Sequence, residues 1–189
     1  MSIINALEQR RSVPLLKEPA PNKDELAQIL GVAQFAPDHG CLKPWQFLLV
    51  RDQARVALGD LFLKAALAET PDLSVEQQTR LANLPMRAPL IIVAVAKVLE
   101  SHKVPVLEQT MAVAAAVQNI LLAIEAFGYS AMWRTGEMAY KPLVKQGLGL
   151  QPSDEIVAYL YVGTADMVPR ARKEFLLDDY CREWPGLNE

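Results

Sequence analysis

The sequence is poor in the residues that build cross-linked or metal-held frameworks. Cys41 and Cys181 are far apart and form no Cys-x-x-Cys pair, so neither a disulfide framework nor a zinc site is expected. His39 and His102 are too few for a histidine-rich metal centre, and no metal is expected. Positive charge is not in surplus either: 19 Lys+Arg against 22 Asp+Glu leave a net charge of -3. That argues against nucleic acid as a partner, because neutralising phosphates takes an excess of cations. The longest apolar run is interrupted by Gln118, Asn119 and Glu125, and MSIINALEQRRS carries no basic start, extended apolar segment or small-residue cleavage site. A soluble, cytoplasmic protein without a membrane partner is therefore expected. No Gly-x-Gly-x-x-Gly opens a helix after a strand, and no Gly-x-x-x-x-Gly-Lys-Ser/Thr occurs, which disfavours Rossmann dinucleotide binding and P-loop chemistry.

What remains is ample material for a core: 51% of the 189 residues are hydrophobic and 22% charged, as in one ordinary globular domain. The chain is organised around Leu107 to Gly136. From Ala112 to Phe127, apolar residues occupy nearly every angle of a helix, which predicts burial on nearly all sides. Gly128 suits the left-handed residue that ends a helix, and a short strand, Ser130 to Trp133, is expected next.

Upstream, Ile3 to Gln9 reads as a short helix and Asn22 with Glu25 as a capping box for a second, which ends near Pro37. Gln46 to Val50 reads as a strand buried on both faces. Helices are expected over Asp52 to Ala68 and from the serine cap Ser74 to Asn83, and Leu90 to Ala96 is the clearest strand. Lys97 to Pro105 should loop over the surface, a helix carrying Leu143 and Val144 should close at Gly147, and Ile156 to Val162 is the last strand. Four strands among helices make a mixed α/β or α+β sandwich around a small sheet. From 165 to 189 the chain turns irregular, and such a tail either frays or lies across another subunit.

Three places could carry chemistry. Trp133-Arg134-Thr135-Gly136 brings an aromatic, a cation, a hydroxyl and a flexible backbone position to one strand end. Arg10-Arg11-Ser12 offers charge and hydrogen-bond donors suited to a phosphate, although arginines at a helix end also complement its dipole. Asp38-His39-Gly40 through Trp45 is a turn-rich loop with a histidine, leading straight into a strand.

Four blocks in this order resemble the nitroreductase family of FMN-dependent oxidoreductases. They are Arg10-Arg11-Ser12; Ala36-Pro37-Asp38-His39 through Pro44-Trp45-Gln46-Phe47; Arg87-Ala88-Pro89-Leu90-Ile91-Ile92-Val93; and Val117-Gln118-Asn119-Ile120 through Trp133-Arg134-Thr135-Gly136. The short length and the Pro37-Asp38-His39 version of the second block are most similar to the small, compact bacterial subgroup. The resemblance implies an α+β fold with a small mixed central sheet sandwiched by helices, and an intertwined homodimer with two FMN molecules at its interface, with the tail packing on the partner. Arg10 and Ser12 would hold the FMN phosphate or ribityl chain, with Arg11 beside them. Phe35 and His39 would approach the flavin from one subunit, and Trp133, Arg134, Thr135 and Gly136 would lie along its ring from the other. In many members a C-terminal Lys or Arg completes the phosphate site; here the basic residues Arg170, Arg172 and Lys173 come close after the last strand, and which of them reaches, if any, stays open.

NADH or NADPH would supply hydride in a ping-pong reaction, and a nitroaromatic, a quinone or another flat small molecule would accept it. The flavin carries the redox chemistry, so no catalytic residue of the protein is required. A backbone amide near Thr135 or Gly136 would donate to N5, Arg10 or Arg11 would favour the anionic reduced flavin, and His39 would donate a hydrogen bond or a proton. Two alternatives stay open: a dimeric flavin-binding protein with little turnover, and a specialised flavin reductase or dehydrogenase for one biosynthetic intermediate.

Overall fold

The computed structural model describes residues 3–168 and 175–186. In chain order its elements are α1 Ile3–Gln9, β1 Leu16–Lys17, α2 Lys23–Gly31, β2 Trp45–Arg51, α3 Gln53–Glu69, α4 Val75–Ala82, β3 Leu90–Ala96, α5 Val106–Ala126, β4 Ser130–Arg134, α6 Pro142–Gly147 and β5 Glu155–Ala165, with 3-10 turns between them. This is the expected α+β arrangement, with one strand more than the sequence announced. The extra strand, β1, is only two residues long, too short to show a periodicity.

Local chemistry explains most of the boundaries. Asn22 Oδ1 accepts from the amides of Asp24 and Glu25 while Glu25 Oε2 accepts from the Asn22 amide, the reciprocal pair that starts a helix. Ser74 and Gln77 do the same for α4. At the other end of α5, Gly128 takes φ +82°, where a side chain would be strained. The buried amide of Gln109 holds the 97–105 loop onto α5, accepting from the Leu99 amide and donating to the carbonyls of Leu99 and Val104.

The sheet runs β1-β5-β3-β2, and β4 also pairs with β5. Every pairing between these strands is antiparallel, so the mixed character expected of the sheet shrinks to one isolated parallel bridge, Ser12 to Ala131. β3 is buried along its whole length, as its β-branched run predicts. It sends Ile91, Val93 and Val95 into a core shared with α3 and α6, and Leu90, Ile92, Ala94 and Ala96 into a second core shared with α2 and α5. Each of the Leu, Ile and Val side chains among them, once fully buried, contributes about 1.5–3 kcal/mol. A register shift beside Ala94 and Val95 lets Ile156 and Tyr159, three residues apart, face the same core.

Two expectations change. β2 was expected to be buried on both faces, but it is the edge strand of the sheet, and of its seven residues only Val50 is buried. An apolar run reads alike on an edge and in the middle, because the sequence does not state which neighbour is missing. α5 was expected to be buried nearly all round from Ala112. It begins earlier, at Val106, where Leu107 and Met111 are 68% and 60% exposed, whereas from Ala112 to Glu125 every residue is buried or half-buried as expected. By length and composition α5 could cross a membrane, but here it packs against the sheet and forms much of the second core.

Candidate functional site

β4 is the element that positions the candidate residues. Just after α1, the Val13 amide donates to the Ala131 carbonyl at 3.1 Å, and Ser12 bridges the same residue, so Arg10-Arg11-Ser12 lies beside the start of β4. Arg11 Nη1 caps the preceding turn, donating to the Glu8 carbonyl at 2.5 Å and to the Arg10 carbonyl at 3.1 Å. Trp133 to Gly136 stand at the far end of the same strand. The structure thus places two of the three predicted groups on one strand, with Arg10-Ser12 at its beginning and Trp133-Gly136 at its exit.

Strand alternation then separates Trp133 from Arg134. Trp133 packs on the α5 side of the sheet, and its Nε1 donates to the Val157 carbonyl at 3.1 Å. Arg134 lies on the α3 side with its guanidinium carbon 5.5 Å from the centre of the Tyr161 ring. Gly136, at φ +63° and ψ -175°, then turns the chain away from the sheet, a conformation that a side chain resists.

Arg134, Thr135 and Gly136 open onto a cleft of about 650 Å³ between this strand end and α4. Its floor includes Phe62, Tyr159 and Tyr161, its far wall Leu73, Gln77, Arg80, Leu81 and Leu84, and among the described residues Glu137 is the one acidic side chain lining it. Phe62 and Tyr159 meet edge to face at 5.5 Å. α4 lies close enough to α3 to form that wall because position 59 is glycine: a Cβ there would stand 2.0 Å from the Ala82 carbonyl oxygen.

The electrostatics of the cleft are unbalanced. Burial pushes the Arg134 guanidinium below its ordinary range, and the nearby Arg87 charge adds to that, against a smaller opposing effect of Tyr161. Burial raises the Tyr161 hydroxyl, while Arg134 and Arg87 pull it back. Burial, reinforced by Tyr161, raises Tyr159. Arg134 Nε is buried without a hydrogen-bond partner. Such an orphan donor is costly unless something fills the site.

Phe35 and His39 stand elsewhere, on 3-10 turns at Val32–Phe35 and His39–Cys41. Phe35 is 74% exposed. His39 Nδ1 lies 2.5 Å from Glu108 Oε2 in the first turn of α5, with 65% and 44% of the two side chains exposed. Gly40, Cys41 and Lys43 all take positive φ, and the Lys43 amide donates to Asp38 Oδ2 at 2.6 Å. For the two non-glycine residues, that is backbone strain of the kind found at ligand clamps. The expected C-terminal cation falls on Arg170, Arg172 and Lys173, which lie outside the described residues.

Sequence reading missed Arg80, Phe62, Tyr159 and Tyr161. Arg80 sits in the last turn of α4, where it reads as an ordinary complement to the helix dipole. The two tyrosines, two residues apart in β5, carried the one available signal: they must share a face of the sheet.

The family model for the nitroreductase family matches residues 7–164. This chain belongs to the nitroreductase family. It is 37% identical over 167 residues to a protein of Escherichia coli (strain K12) named "Putative NAD(P)H nitroreductase YdjA", a match covering 88% of this chain and 90% of that one. Among solved structures it is similar to a nitroreductase-like family protein from Bacillus cereus, at TM-score 0.84, 26% identity and coverage of 98% and 97% of the two chains. The same fold recurs in a mutant of the "FMN and NADPH-dependent nitroreductase NfnB", at TM-score 0.76 and 20% identity, covering 99% of this chain and 100% of that one. Membership accounts for the order of the four sequence blocks, each of which falls within residues 7–164.

Proposed function

We propose that this nitroreductase-family chain is an FMN-dependent oxidoreductase that passes hydride from NADH or NADPH to a flat small-molecule acceptor such as a nitroaromatic or a quinone. The observation that carries the reading is the use of β4: a phosphate-type group of two cations and a hydroxyl at its start, and an aromatic, cation-edged cleft at its exit. The donor set fits FMN. One end suits a phosphate and the other a planar ring, and the orphaned Arg134 Nε stands ready for an acceptor atom. FMN, when bound, supplies the hydride chemistry, taking hydride from the nicotinamide and giving it to the acceptor in alternate half-reactions.

The residues of the chain hold, orient and shield. Arg10 and Ser12 bind the phosphate or ribityl chain, with Arg11 beside them braced against the end of α1. Trp133, fixed by its bond to Val157, sets the direction of β4, and the backbone of Thr135 and Gly136 presents donors along the ring. Phe35 and His39 act from a second copy of the chain. Support for that second copy is the exposed apolar surface of α1 and α5. No residue of α1 is buried, Ile3 and Ile4 are exposed, and so are Leu107 and Met111 of α5. The tail segment with Phe175, Leu176, Leu177 and Trp184, all exposed, packs on that partner. We place the enzyme in the cytoplasm, where NAD(P)H is supplied.

The test is steady-state oxidation of NADH and of NADPH by the FMN-loaded protein, with a nitroaromatic and a quinone varied against donor. Parallel double-reciprocal lines with either acceptor are the expected result. A protein that keeps its flavin bands but oxidises neither donor is instead the dimeric flavin-binding protein, and turnover with a single narrow acceptor points to the specialised reductase.

A further inference from the structure

The turn that carries His39 is held more firmly than an exposed loop requires. Gly40, Cys41 and Lys43 take φ +79°, +54° and +49°, a conformation that strains the two residues with a Cβ. Asp38 braces it twice: its carbonyl accepts from the Cys41 amide at 3.1 Å, and its Oδ2 accepts from the Lys43 amide at 2.6 Å. Facing the turn, Glu108 stands in the first turn of α5, next to the buried Gln109 whose amide ties the 97–105 loop to that helix. Val104 of the same loop abuts the turn, its Cγ2 3.1 Å from where a Cβ at position 40 would be. His39 Nδ1 and Glu108 Oε2, 2.5 Å apart, join the two units. So exposed a pair adds little stability, which leaves the strain of the turn unaccounted for. What the arrangement does fix is the orientation of the imidazole.

A carboxylate only accepts hydrogen bonds, so Nδ1 of His39 is the donor of this bond and carries a proton whether the ring is neutral or charged. Among the described residues Nε2 has no hydrogen-bond partner. Resting on the flavin reading above, in which His39 acts at the flavin site of a second copy, we propose that Glu108 is a positioning residue that holds the Nδ1 proton of His39 in place, so that Nε2 is the nitrogen that gives a proton to the electron acceptor. The acceptor needs one. A quinone receives two electrons and one proton as hydride and takes one more proton to become the hydroquinone, and a nitro group takes one more to become nitroso and water. The imidazolium of His39 supplies that proton from Nε2, is left as the neutral ring with Nδ1–H still donating to Glu108, and recovers the proton from water. His102 has the opposite arrangement. Its Nδ1 accepts from the Val104 amide at 3.1 Å, which puts the proton of its neutral ring on Nε2.

The experiment takes the FMN-loaded protein, unmutated, E108A, E108Q and H39Q, reduces it anaerobically with dithionite, and follows reoxidation by duroquinone and by ferricyanide. Ferricyanide takes electrons and no proton, so altered flavin binding moves both rates, whereas altered proton supply moves their ratio. The quinone-to-ferricyanide ratio should fall about tenfold in E108A and about a hundredfold in H39Q, within the reach of general acid catalysis. E108Q should recover part of the loss, because its amide oxygen still accepts from Nδ1–H. The second readout is nitrogen-15 NMR of the two histidines in the purified protein at alkaline pH. Unmutated His39 should show the Nδ1–H form and His102 the Nε2–H form, and E108A should shift His39 toward Nε2–H. Circular dichroism checks that the Glu108 variants are folded, as an exposed position should allow. If E108A keeps the unmutated ratio, the proposal is overturned while the flavin reading stands, and an Nε2–H ring at His39 in the unmutated protein overturns it in the same way. An unmutated protein that takes up no FMN overturns both.

Discussion

The two ends of β4 are built in opposite ways. At the start, three consecutive residues, Arg10, Arg11 and Ser12, bring two cations and a hydroxyl beside Ala131. At the exit, side chains from α3, α4, β4 and β5, spread from Phe62 to Tyr161, meet in one cleft. A phosphate is bound by charge and donors, which a short segment can carry by itself. A planar ring needs a slot with two walls, and only tertiary packing makes one. Damage at the first end should therefore change affinity, and damage at the second should also change stability.

Gly59→Ala should produce the largest effect. Its methyl would lie 2.0 Å from the Ala82 carbonyl oxygen, a backbone atom, so α4 must move away from α3. A stability loss of about 3 kcal/mol in urea denaturation is expected, on the scale of an overpacked core. The cleft should deform with it, so ring binding weakens for FMN and riboflavin alike. A variant as stable as the parent would mean that the α3–α4 contact does not set the wall.

Arg10→Ala breaks the comparison at its other end. Losing a charge-assisted contact should weaken FMN binding by about 1.5–3 kcal/mol, roughly ten- to a hundredfold, and leave riboflavin binding unchanged. Equal losses for both flavins, followed by fluorescence titration, would remove Arg10 from the phosphate site. Gly136→Ala is expected to cost about 1–3 kcal/mol, because φ +63° with ψ -175° is a region that essentially only glycine occupies. No atom lies within 4 Å of the added methyl, so the cost is conformational and the fold survives. His39→Ala should change stability least, by less than about 1 kcal/mol, since both members of its pair with Glu108 are largely exposed. Its flavin affinity or rate of reduction should nonetheless differ from the parent, and identical values would return His39 to a surface role.

The same contrast explains what was legible in the sequence. Features written in adjacent residues were readable: the Asn22–Glu25 capping box, the serine cap of α4 and the run Leu90 to Ala96. Features that depend on neighbours distant in the chain were not. β2 looked like a central strand because its residues do not reveal that it lies on an edge. Nothing local singles out Arg80, which shares a cleft with Arg134 only because α4 packs near the exit of β4. The parallel bridge at Ser12, which ties the first block to β4, joins residues too far apart in sequence for any local pattern to show it.

The most direct test of the account is the visible absorption spectrum of the purified protein after incubation with FMN, followed by anaerobic addition of NADH and then NADPH. The account predicts retained flavin bands that bleach with at least one of the two donors. A protein that holds no flavin would contradict it, since both ends of β4 would then be empty of their proposed ligand.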